Sequence, residues 1–277
     1  MLELFVSALA HRVGFKTIKV YLNGLQFHST LAGWPVRVAR MPTLNYVLRG
    51  IRRVQGPSFT RPPKSPLLVA HLHQFFARGA ALFHPLDFVM YKAAFTLAFF
   101  GLLRVSEFTS LRVGVWNSTI HLSRLDVGFV SAPASMAIHI KASKTDPFRV
   151  GCTIHLVSLH VGVCPVRAMR SYLRLPRSRG GPLFTFNDGR FLTRAHVARV
   201  LQVCFRVPLL STHSFRIGGA SALANAGVPL LIIQQLGRWR SDAFYRYLRL
   251  SPSVGAQSFR ALFNIPAPDE LQGGHQS

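Results

Sequence analysis

The stretch that decides the fold is HSFRIGGASALANAGVPLLIIQQLGRWRSDAFYRYLR, residues 213–249. It is largely apolar and helical in pattern, yet it contains five arginines and two tyrosines, and its one acidic residue is Asp242. A packed core would exclude so many cations, and a merely solvated helix face would include more acids. The segment therefore predicts helices that present guanidinium and phenol groups for binding or chemistry.

The whole chain has the same imbalance of charge. Its 277 residues include 33 Lys plus Arg and 9 Asp plus Glu, a formal net charge of +24, and 49% of the residues are hydrophobic. The apolar content is enough for one large core or two smaller ones, but this charge opposes compaction unless a polyanion offsets it. Most of the cations are Arg, whose planar fork matches phosphate oxygens, so we expect nucleic acid as the partner rather than a membrane surface.

Cysteine usage and hydropathy argue against a secreted or membrane protein. The three cysteines are too few and too scattered for a disulfide framework or a zinc knuckle. The start, MLELFVSALAHRVGF, lacks the basic region and cleavage site of a signal peptide. The apolar run 88–103 is interrupted by Lys92 and leads into Arg104, which predicts a buried helix. His71 and His73 have no Cys or acid nearby, so they are expected on a helix face, and no metal or other cofactor is expected.

The order of patterns along the chain predicts a mainly α fold with a small antiparallel β-sheet. Three short helices are expected first, at 2–11, at 17–31 with Thr17 as N-cap, and at 43–54. The Pro-rich basic segment GPSFTRPPKSP, residues 56–66, is the best domain boundary, which gives domains at 1–60 and 67–277 with a linker at 61–66. Beyond it we expect helices at 66–78, 86–104, 165–175, 193–205, 214–226, 229–236 and 242–248, and strands at 113–116, 118–121, 136–143 and 148–157.

Two residue pairs have the i and i+3 spacing that places side chains on one face of a helix. His213 and Arg216 begin the quoted stretch, and Arg104 and Glu107 end the apolar helix in GLLRVSEF. Each pair also has an ordinary interpretation. An H-x-x-R pair taken alone is more often a capping His beside a surface Arg, and an Arg with a Glu at i+3 is more often a helical ion pair.

Lys144 and Tyr247 are candidates of the same kind. Lys144 lies in the predicted turn of KASKTDP, where a lysine is common because turns are solvated. Tyr247 lies in the last predicted helix among Arg246 and Arg249, where cation–π packing is the usual explanation. Only the combination and the chain order of these residues favour a shared site.

Taken together in chain order, the residues resemble the catalytic set of the tyrosine recombinases, also called the phage integrase family. GLLRVSEFTSLR resembles the first arginine box, KASKT the hairpin lysine, and HSFRIGGASALANAGVPLLIIQQLGRW the H-x-x-R box with its following helices. TIKVYLNGLQFHSTLAG and VLRGIRRVQG resemble the helical core-binding domain. GRWRSDAFYRYLR is more similar to DIRS-type and Crypton recombinases than to bacterial Xer proteins. The resemblance covers nearly the whole chain.

This resemblance implies a SAM-like core-binding domain followed by a catalytic domain. It implies site-specific cleavage and rejoining of double-stranded DNA through a 3′-phosphotyrosine, in the integration or recombination of a mobile element. Assembly into a tetramer on paired DNA sites is implied too, with a nuclear location for a eukaryotic element and a cytoplasmic or nucleoid one otherwise. The implied catalytic set is Arg104, Lys144, His213, Arg216, Arg238, Trp239 and Tyr247, with DNA-binding cations at Lys16, Lys19, Arg49, Arg52, Arg53 and Lys141.

The chemistry of that reaction explains the residue types. Attack of a Tyr phenolate on a phosphodiester builds charge on the non-bridging oxygens, which the guanidiniums of Arg104 and Arg216 can stabilise without a metal. His213 can manage the phenol proton, and Lys144 can protonate the leaving 5′ oxygen. Glu107 is expected to orient an active-site Arg.

The sequence departs from the family pattern in two places. Bacterial members have Gly-His where this chain has Gly237, Arg238 and Trp239. Counting back from Tyr247 puts Arg238 at the position of the family His. Either Arg238 or Trp239 is therefore a candidate for the phosphate contact. Compared with the family pattern, the N-terminal domain is also expected to be shorter by the first helix. Of the two tyrosines, family spacing selects Tyr247, and Tyr245, about 200° away on a helix, is expected to be a packing residue.

Three other classes compete with a recombinase. A metal-dependent transposase or nuclease needs clustered carboxylates. This chain has only nine acids, and six of them are dispersed: Asp87, Glu107, Asp126, Asp146, Asp188 and Asp242. A type IB topoisomerase shares the covalent chemistry, but the N-terminal helical domain is not expected in one. A catalytically inactive or domesticated DNA-binding relic of a mobile element remains the alternative, although every expected catalytic position is filled.

Overall fold

The computed structural model describes residues 1–34, 37–59, 62–112, 114–131, 134–160, 162–176 and 180–251. The chain divides into two compact units, Met1–Pro63 and Lys64–Ser277. The described residues form α-helices and one small antiparallel sheet, so the predicted fold class is confirmed. In these ranges no helix combines the length and the apolarity that a membrane crossing requires.

The first unit consists of three helices, α1 (Leu2–Ala10), α2 (Phe15–Leu31) and α3 (Pro42–Gln55). One buried cluster joins them: Val6, Ile18, Leu22 and Leu44. Thr17 is not the N-cap of α2, because the helix begins two residues earlier, after Gly14. The buried Gln55 explains the difference, since its Oε1 accepts the N–H of Phe15 at 2.7 Å and supplies the partner that a capping side chain would otherwise provide.

Among its described residues, the second unit has seven α-helices: α4 (Val69–Arg78), α5 (Pro85–Phe100), α6 (Val105–Phe108), α7 (Pro165–Leu173), α8 (Arg194–Phe205), α9 (Ser214–Asn225) and α10 (Leu230–Leu236). The apolar helix α5 is buried over most of its length, as predicted. It ends at Phe100 rather than at residue 104, because Leu102 adopts a left-handed backbone with φ 48°. Arg104 then lies at the start of the single-turn helix α6.

The sheet contains three antiparallel strands in the order β1 (Val127–Val130), β2 (Ser135–Ile140) and β3 (Cys152–Val157). Ile138 in the central strand pairs with Val127 on one side and Ile154 on the other. The strands predicted at 136–143 and 148–157 are found as β2 and β3, but β2 already ends at Ile140 and β3 begins only at Cys152. The longer connection between them includes Lys144. The sequence patterns did not predict β1.

The strands predicted at 113–116 and 118–121 are wrong. Val113 lies outside the described residues, and Arg112 and Val115 form only an isolated bridge. Asn117 is the physical reason for the second error, because its Oδ1 accepts the N–H of Thr119 at 2.8 Å and closes a turn. The predicted helix at 242–248 is likewise a 3₁₀ helix, Asp242–Tyr247, rather than an α-helix.

Two glycines allow α9 to pack closely in the second unit. A Cβ at Gly218 would lie 1.8 Å from the carbonyl oxygen of Leu67, and one at Gly219 would lie 2.3 Å from that of Phe99. The N–H of Leu67 also donates to the Ser214 carbonyl at 2.9 Å. The GG pair of the quoted stretch thus brings the H-x-x-R helix into backbone contact with the end of α5.

We predict that Gly218→Ala lowers the free energy of unfolding by about 3 kcal/mol, because the new methyl group meets a backbone oxygen that has little room to move. Gly50→Ala in α3 is the matched control, since a Cβ there has no neighbour within 4 Å. That control is expected to be neutral or stabilising by up to about 1 kcal/mol through helix propensity. Urea unfolding of both variants measures the difference, and equal stability would contradict the close packing of α9.

Candidate active site

The first turn of α9 places the H-x-x-R pair. His213 is the N-terminal cap residue of the helix and is exposed, and its N–H donates to Ser211 Oγ at 3.3 Å. Arg216 lies within the helix and is completely buried. The ordinary interpretation of this pair, a capping His beside a surface Arg, is therefore wrong for the arginine.

The guanidinium of Arg216 lies among main-chain oxygens and aromatic rings. It donates to the carbonyls of Leu102 and Gly237. Its central carbon is 4.1 Å from the ring centroid of Trp239 and 5.7 Å from that of Tyr247. Burial, followed by the charge of Arg104, lowers the pKa of Arg216 to about 9. Arg216 consequently keeps its charge at neutral pH in a site with little solvent.

The two residues whose carbonyls accept from this guanidinium differ in backbone conformation: Leu102 is left-handed, whereas Gly237 has φ −80° and ψ −4°. Leu102 has φ 48°, a backbone conformation that residues other than Gly rarely adopt. Gly237 leaves room for an aromatic ring, because a Cβ there would lie 1.6 Å from the Trp239 side chain. The conformation of Leu102 and the missing side chain of Gly237 therefore belong to the construction of the site.

Glu107 holds two arginines on opposite sides of one buried carboxylate. Its Oε1 accepts from Arg104 Nη1 at 2.9 Å, and its Oε2 accepts from Arg238 Nη2 at 2.9 Å and from the Arg104 N–H at 3.0 Å. The Glu107 side chain is fully buried, whereas those of Arg104 and Arg238 are 13% and 16% exposed. One carboxylate thus faces two guanidiniums, and the pocket carries excess positive charge.

Arg238 and Trp239 occupy different places in the site. Arg238 has φ 56° and, besides Glu107, donates to the Gly101 carbonyl at 3.2 Å. Trp239 is buried against Arg216, and its Nε1 has no hydrogen-bond partner among the described residues. Arg238 therefore keeps some access to solvent, while the indole forms a platform under Arg216.

The structure separates the two tyrosines. The ring of Tyr247 is partly buried, with its centroid 5.1 Å from that of Trp239. Tyr245 is 54% exposed, and its ring contacts that of Phe244 at 4.3 Å. The prediction of Tyr245 as a packing residue is therefore wrong for most of its surface, because the 3₁₀ turn directs it outward. Only Tyr247 lies beside the buried arginine.

The neighbourhood of Tyr247 also differs from the prediction in its cations. Arg246 is exposed, and the guanidinium of Arg249 donates to the carbonyls of Arg246 and Leu248 at 2.9 and 2.8 Å. The guanidinium of Arg249 is therefore held by main-chain carbonyls on either side of Tyr247. The cation next to its ring is Arg216, which comes from another helix.

Lys144 lies exposed in the loop between β2 and β3. Asp146 shapes this loop, since its carboxylate accepts the N–H groups of Val150 at 3.2 Å and Gly151 at 2.8 Å. The hydrogen bond from Gly151 is the main cause of the lowered pKa of Asp146. The pKa of His213 is lowered, chiefly by partial desolvation and then by the charges of Arg194 and Arg104. Lys144 is near enough to His213 for its charge to contribute to this shift.

The predicted DNA-binding cations fall into two groups. Lys141 is already paired, since its Nζ lies 2.7 Å from Asp126 Oδ2. Glu3 is the single acidic residue among residues 1–63. In that unit the predicted cations of α2 and α3 are all exposed: Lys16, Lys19, Arg49, Arg52 and Arg53.

Sequence patterns missed the main-chain part of the site. The Leu102 and Gly237 carbonyls have no residue signature, and the Arg238–Glu107 ion pair joins positions 131 residues apart. The left-handed turns at Leu102 and Arg238 could not be predicted from the sequence either, because such turns are usually recognised by a Gly and neither residue is Gly. Among the described residues, no three His, Cys, Asp or Glu side chains come together as a metal site.

We predict that Glu107→Gln lowers the free energy of unfolding by about 3 kcal/mol, because two partly buried guanidiniums lose their shared counter-charge. Asp188→Asn is the matched control, since it removes the carboxylate of an exposed ion pair with Arg190 and is expected to have no measurable effect. Urea unfolding of the two variants gives the comparison. A loss in Glu107→Gln no larger than in the control would show that the carboxylate does not hold the cluster.

Comparison with solved structures extends over nearly the whole chain. The Tn1549 transposon integrase in complex with circular intermediate DNA has a TM-score of 0.58 at 14% identity, covering 93% of this chain and 83% of that chain. XerH site-specific recombinase bound to a difH substrate scores 0.50 at 14% identity, with coverages of 85% and 69%. XerA recombinase scores 0.50 at 17% identity, with coverages of 92% and 84%. No protein-family profile and no curated protein matches the chain. The chain therefore has the fold of tyrosine recombinase catalytic domains.

Proposed function

We propose that this chain is a tyrosine-type recombinase that cleaves and rejoins double-stranded DNA at specific sites through a 3′-phosphotyrosine on Tyr247. The observation that carries the proposal is the position of the Tyr247 ring beside the buried guanidinium of Arg216. Arg104 and Arg238 are both paired with Glu107 in the same site, so the three guanidiniums there are balanced by a single carboxylate. A phosphodiester supplies the negative charge that this arrangement lacks.

In the proposed reaction, the Tyr247 oxygen attacks the phosphorus and the bond to the 5′ oxygen breaks. The negative charge on the non-bridging oxygens increases in the transition state, and the guanidiniums of Arg104 and Arg216 stabilise it. Because the phosphotyrosine conserves the bond energy, the 5′ hydroxyl of a second strand reverses the step and joins the DNA.

Two further side chains handle protons in this scheme. His213 has a lowered pKa, so its imidazole is neutral at pH 7 and accepts the proton of the Tyr247 phenol. Lys144 is a cation on the β2–β3 loop and donates a proton to the leaving 5′ oxygen. The charges of the site come from the protein, so the proposal includes no metal step.

Between the two candidates for the phosphate contact, we assign the role to Arg238. Its guanidinium is partly exposed, while Nε1 of Trp239 is enclosed. Its position nine residues before Tyr247 is also the register of the family His. Trp239 then supports Arg216 through its ring face.

The biological setting is part of the same proposal. Similarity of GRWRSDAFYRYLR to DIRS-type and Crypton recombinases favours a mobile element, with a nuclear location if its host is eukaryotic. The Tn1549 integrase and XerH were solved bound to DNA, which supports a DNA partner here. We further propose that the unit Met1–Pro63, with its exposed cations, serves as the core-binding domain and that the protein assembles as a tetramer on paired sites. The alternative is an inactive or domesticated relic that still binds DNA.

We predict that Tyr247→Phe binds DNA normally but forms no covalent adduct on a nicked suicide duplex, because it lacks the attacking oxygen. Tyr245→Phe is the matched control and should keep most of the adduct, since Tyr245 faces solvent. Denaturing gels measure the adduct, and peptide mapping locates it. An adduct on Tyr245 would refute the assignment, and DNA binding without any adduct in the wild-type chain would favour the inactive relic.

We predict opposite outcomes for the two candidates of the phosphate contact. Arg238→Ala should reduce the rate of adduct formation by about 100-fold, the usual effect of losing one transition-state donor. Trp239→Phe keeps a smaller aromatic ring under Arg216 and removes the indole N–H, so its rate should stay close to that of wild type. Single-turnover cleavage at saturating protein measures both rates. The reverse order would assign the contact to Trp239.

A further inference from the structure

Two polar side chains of α9 contact the main chain at and after Tyr247. Ser221 and Asn225 lie four residues apart, so they occupy one face of the helix. Ser221 is buried, with 3% of its surface exposed, and Asn225 lies at the last position of α9. The sequence analysis selected neither residue.

Each side chain bonds two main-chain groups. Ser221 Oγ donates to the Tyr247 carbonyl at 3.1 Å and accepts the Arg249 N–H at 2.9 Å. Asn225 Nδ2 donates to the Arg249 carbonyl at 3.3 Å, and its Oδ1 accepts the Ser251 N–H at 2.9 Å. The bonds fall on alternate residues, as those from a neighbouring β-strand would.

The segment has left regular structure where these bonds form. The 3₁₀ helix ends at Tyr247, and Leu248 is extended with ψ 132°. An extended chain without a neighbouring strand has to find partners for its N–H and carbonyl groups outside itself. Ser221 and Asn225 provide four such partners from one rigid helix.

The same helix carries the arginine that faces the phenol. Arg216 precedes Ser221 by five residues, which is about 7.5 Å along the axis of α9. The bond from Ser221 to the Tyr247 carbonyl therefore ties the tyrosine segment to the element that holds Arg216. One helix thus contacts both the main chain of Tyr247 and, through Arg216, its ring.

We propose that Ser221 and Asn225 are positioning residues, which hold Tyr247 in register with Arg216 for attack. This inference rests on the proposed function. Neither residue touches the reacting atoms; both act through the main chain of the tyrosine segment.

The test compares Ser221→Ala, Asn225→Ala and the control Thr96→Ala in the full chain. Thr96 is a buried hydroxyl of α5 that bonds the Lys92 and Ala93 carbonyls of its own helix, so its loss weakens packing without touching the tyrosine segment. We expect Ser221→Ala to slow adduct formation on a nicked duplex by about tenfold or more, with DNA affinity unchanged, because misplacing a nucleophile reduces its effective concentration. Asn225→Ala should show a smaller loss, and Thr96→Ala none.

Two further readouts separate positioning from general destabilisation. Hydrogen exchange at the amides of Arg249 and Ser251 should accelerate in Ser221→Ala and Asn225→Ala respectively, while exchange in α5 stays unchanged. A 5′-bridging phosphorothioate, whose sulfur leaves without protonation, should rescue Lys144→Ala but not Ser221→Ala, since the latter affects the nucleophile.

Distinct results would overturn the inference and the proposed function. Adduct formation at the wild-type rate in both variants, or an equal loss in Thr96→Ala, would overturn the positioning role even if the wild-type chain is active. Unchanged amide exchange in both variants would do the same without reference to activity. Absence of any adduct in the wild-type chain would overturn the proposed function, and positioning for catalysis with it.

Discussion

The burial of one charged side chain, Arg216, determines the arrangement of the site. Removing a guanidinium from water is costly unless hydrogen bonds and opposite charge replace the solvent. Here the carbonyls of Leu102 and Gly237 accept from it, the ring of Trp239 lies 4.1 Å away, and the negative charge of Glu107 opposes the loss of its proton. These partners come from separate parts of the second unit, so the cation links them.

The need to supply partners for the buried Arg216 guanidinium explains several local features of the backbone. The left-handed turn at Leu102 ends α5 early and presents a carbonyl, and the missing side chain of Gly237 admits the indole. Gly218 and Gly219 let α9 approach the end of α5 closely enough for Arg216 to reach it. Each feature has a cost in backbone freedom or strain, and each places an atom within reach of the guanidinium. Under the proposed function, these features organise the guanidiniums before the phosphate binds.

Side-chain patterns predicted much of this molecule, and main-chain geometry accounts for most of the rest. Hydrophobic periodicity located α5 and the sheet strands β2 and β3. Helical spacing made Arg104, Glu107 and Arg216 candidates, and their chain order and family resemblance selected them. The strands predicted near Asn117 failed because an Asn side chain closes a turn there. The 3₁₀ form of 242–247, the left-handed turns and the long-range pair of Glu107 with Arg238 depend on tertiary contacts, which no local pattern encodes.

The central claim is that Tyr247 and the arginines around Glu107 form one phosphate site. The most direct test is a crystal structure of the chain with two DNA half-sites and orthovanadate, which adopts the five-coordinate geometry of phosphoryl transfer. We expect a vanadium bonded to the Tyr247 oxygen, with its equatorial oxygens on the guanidiniums of Arg104, Arg216 and Arg238. Vanadium bonded to Tyr245, or DNA backbone bound away from these arginines, would contradict it.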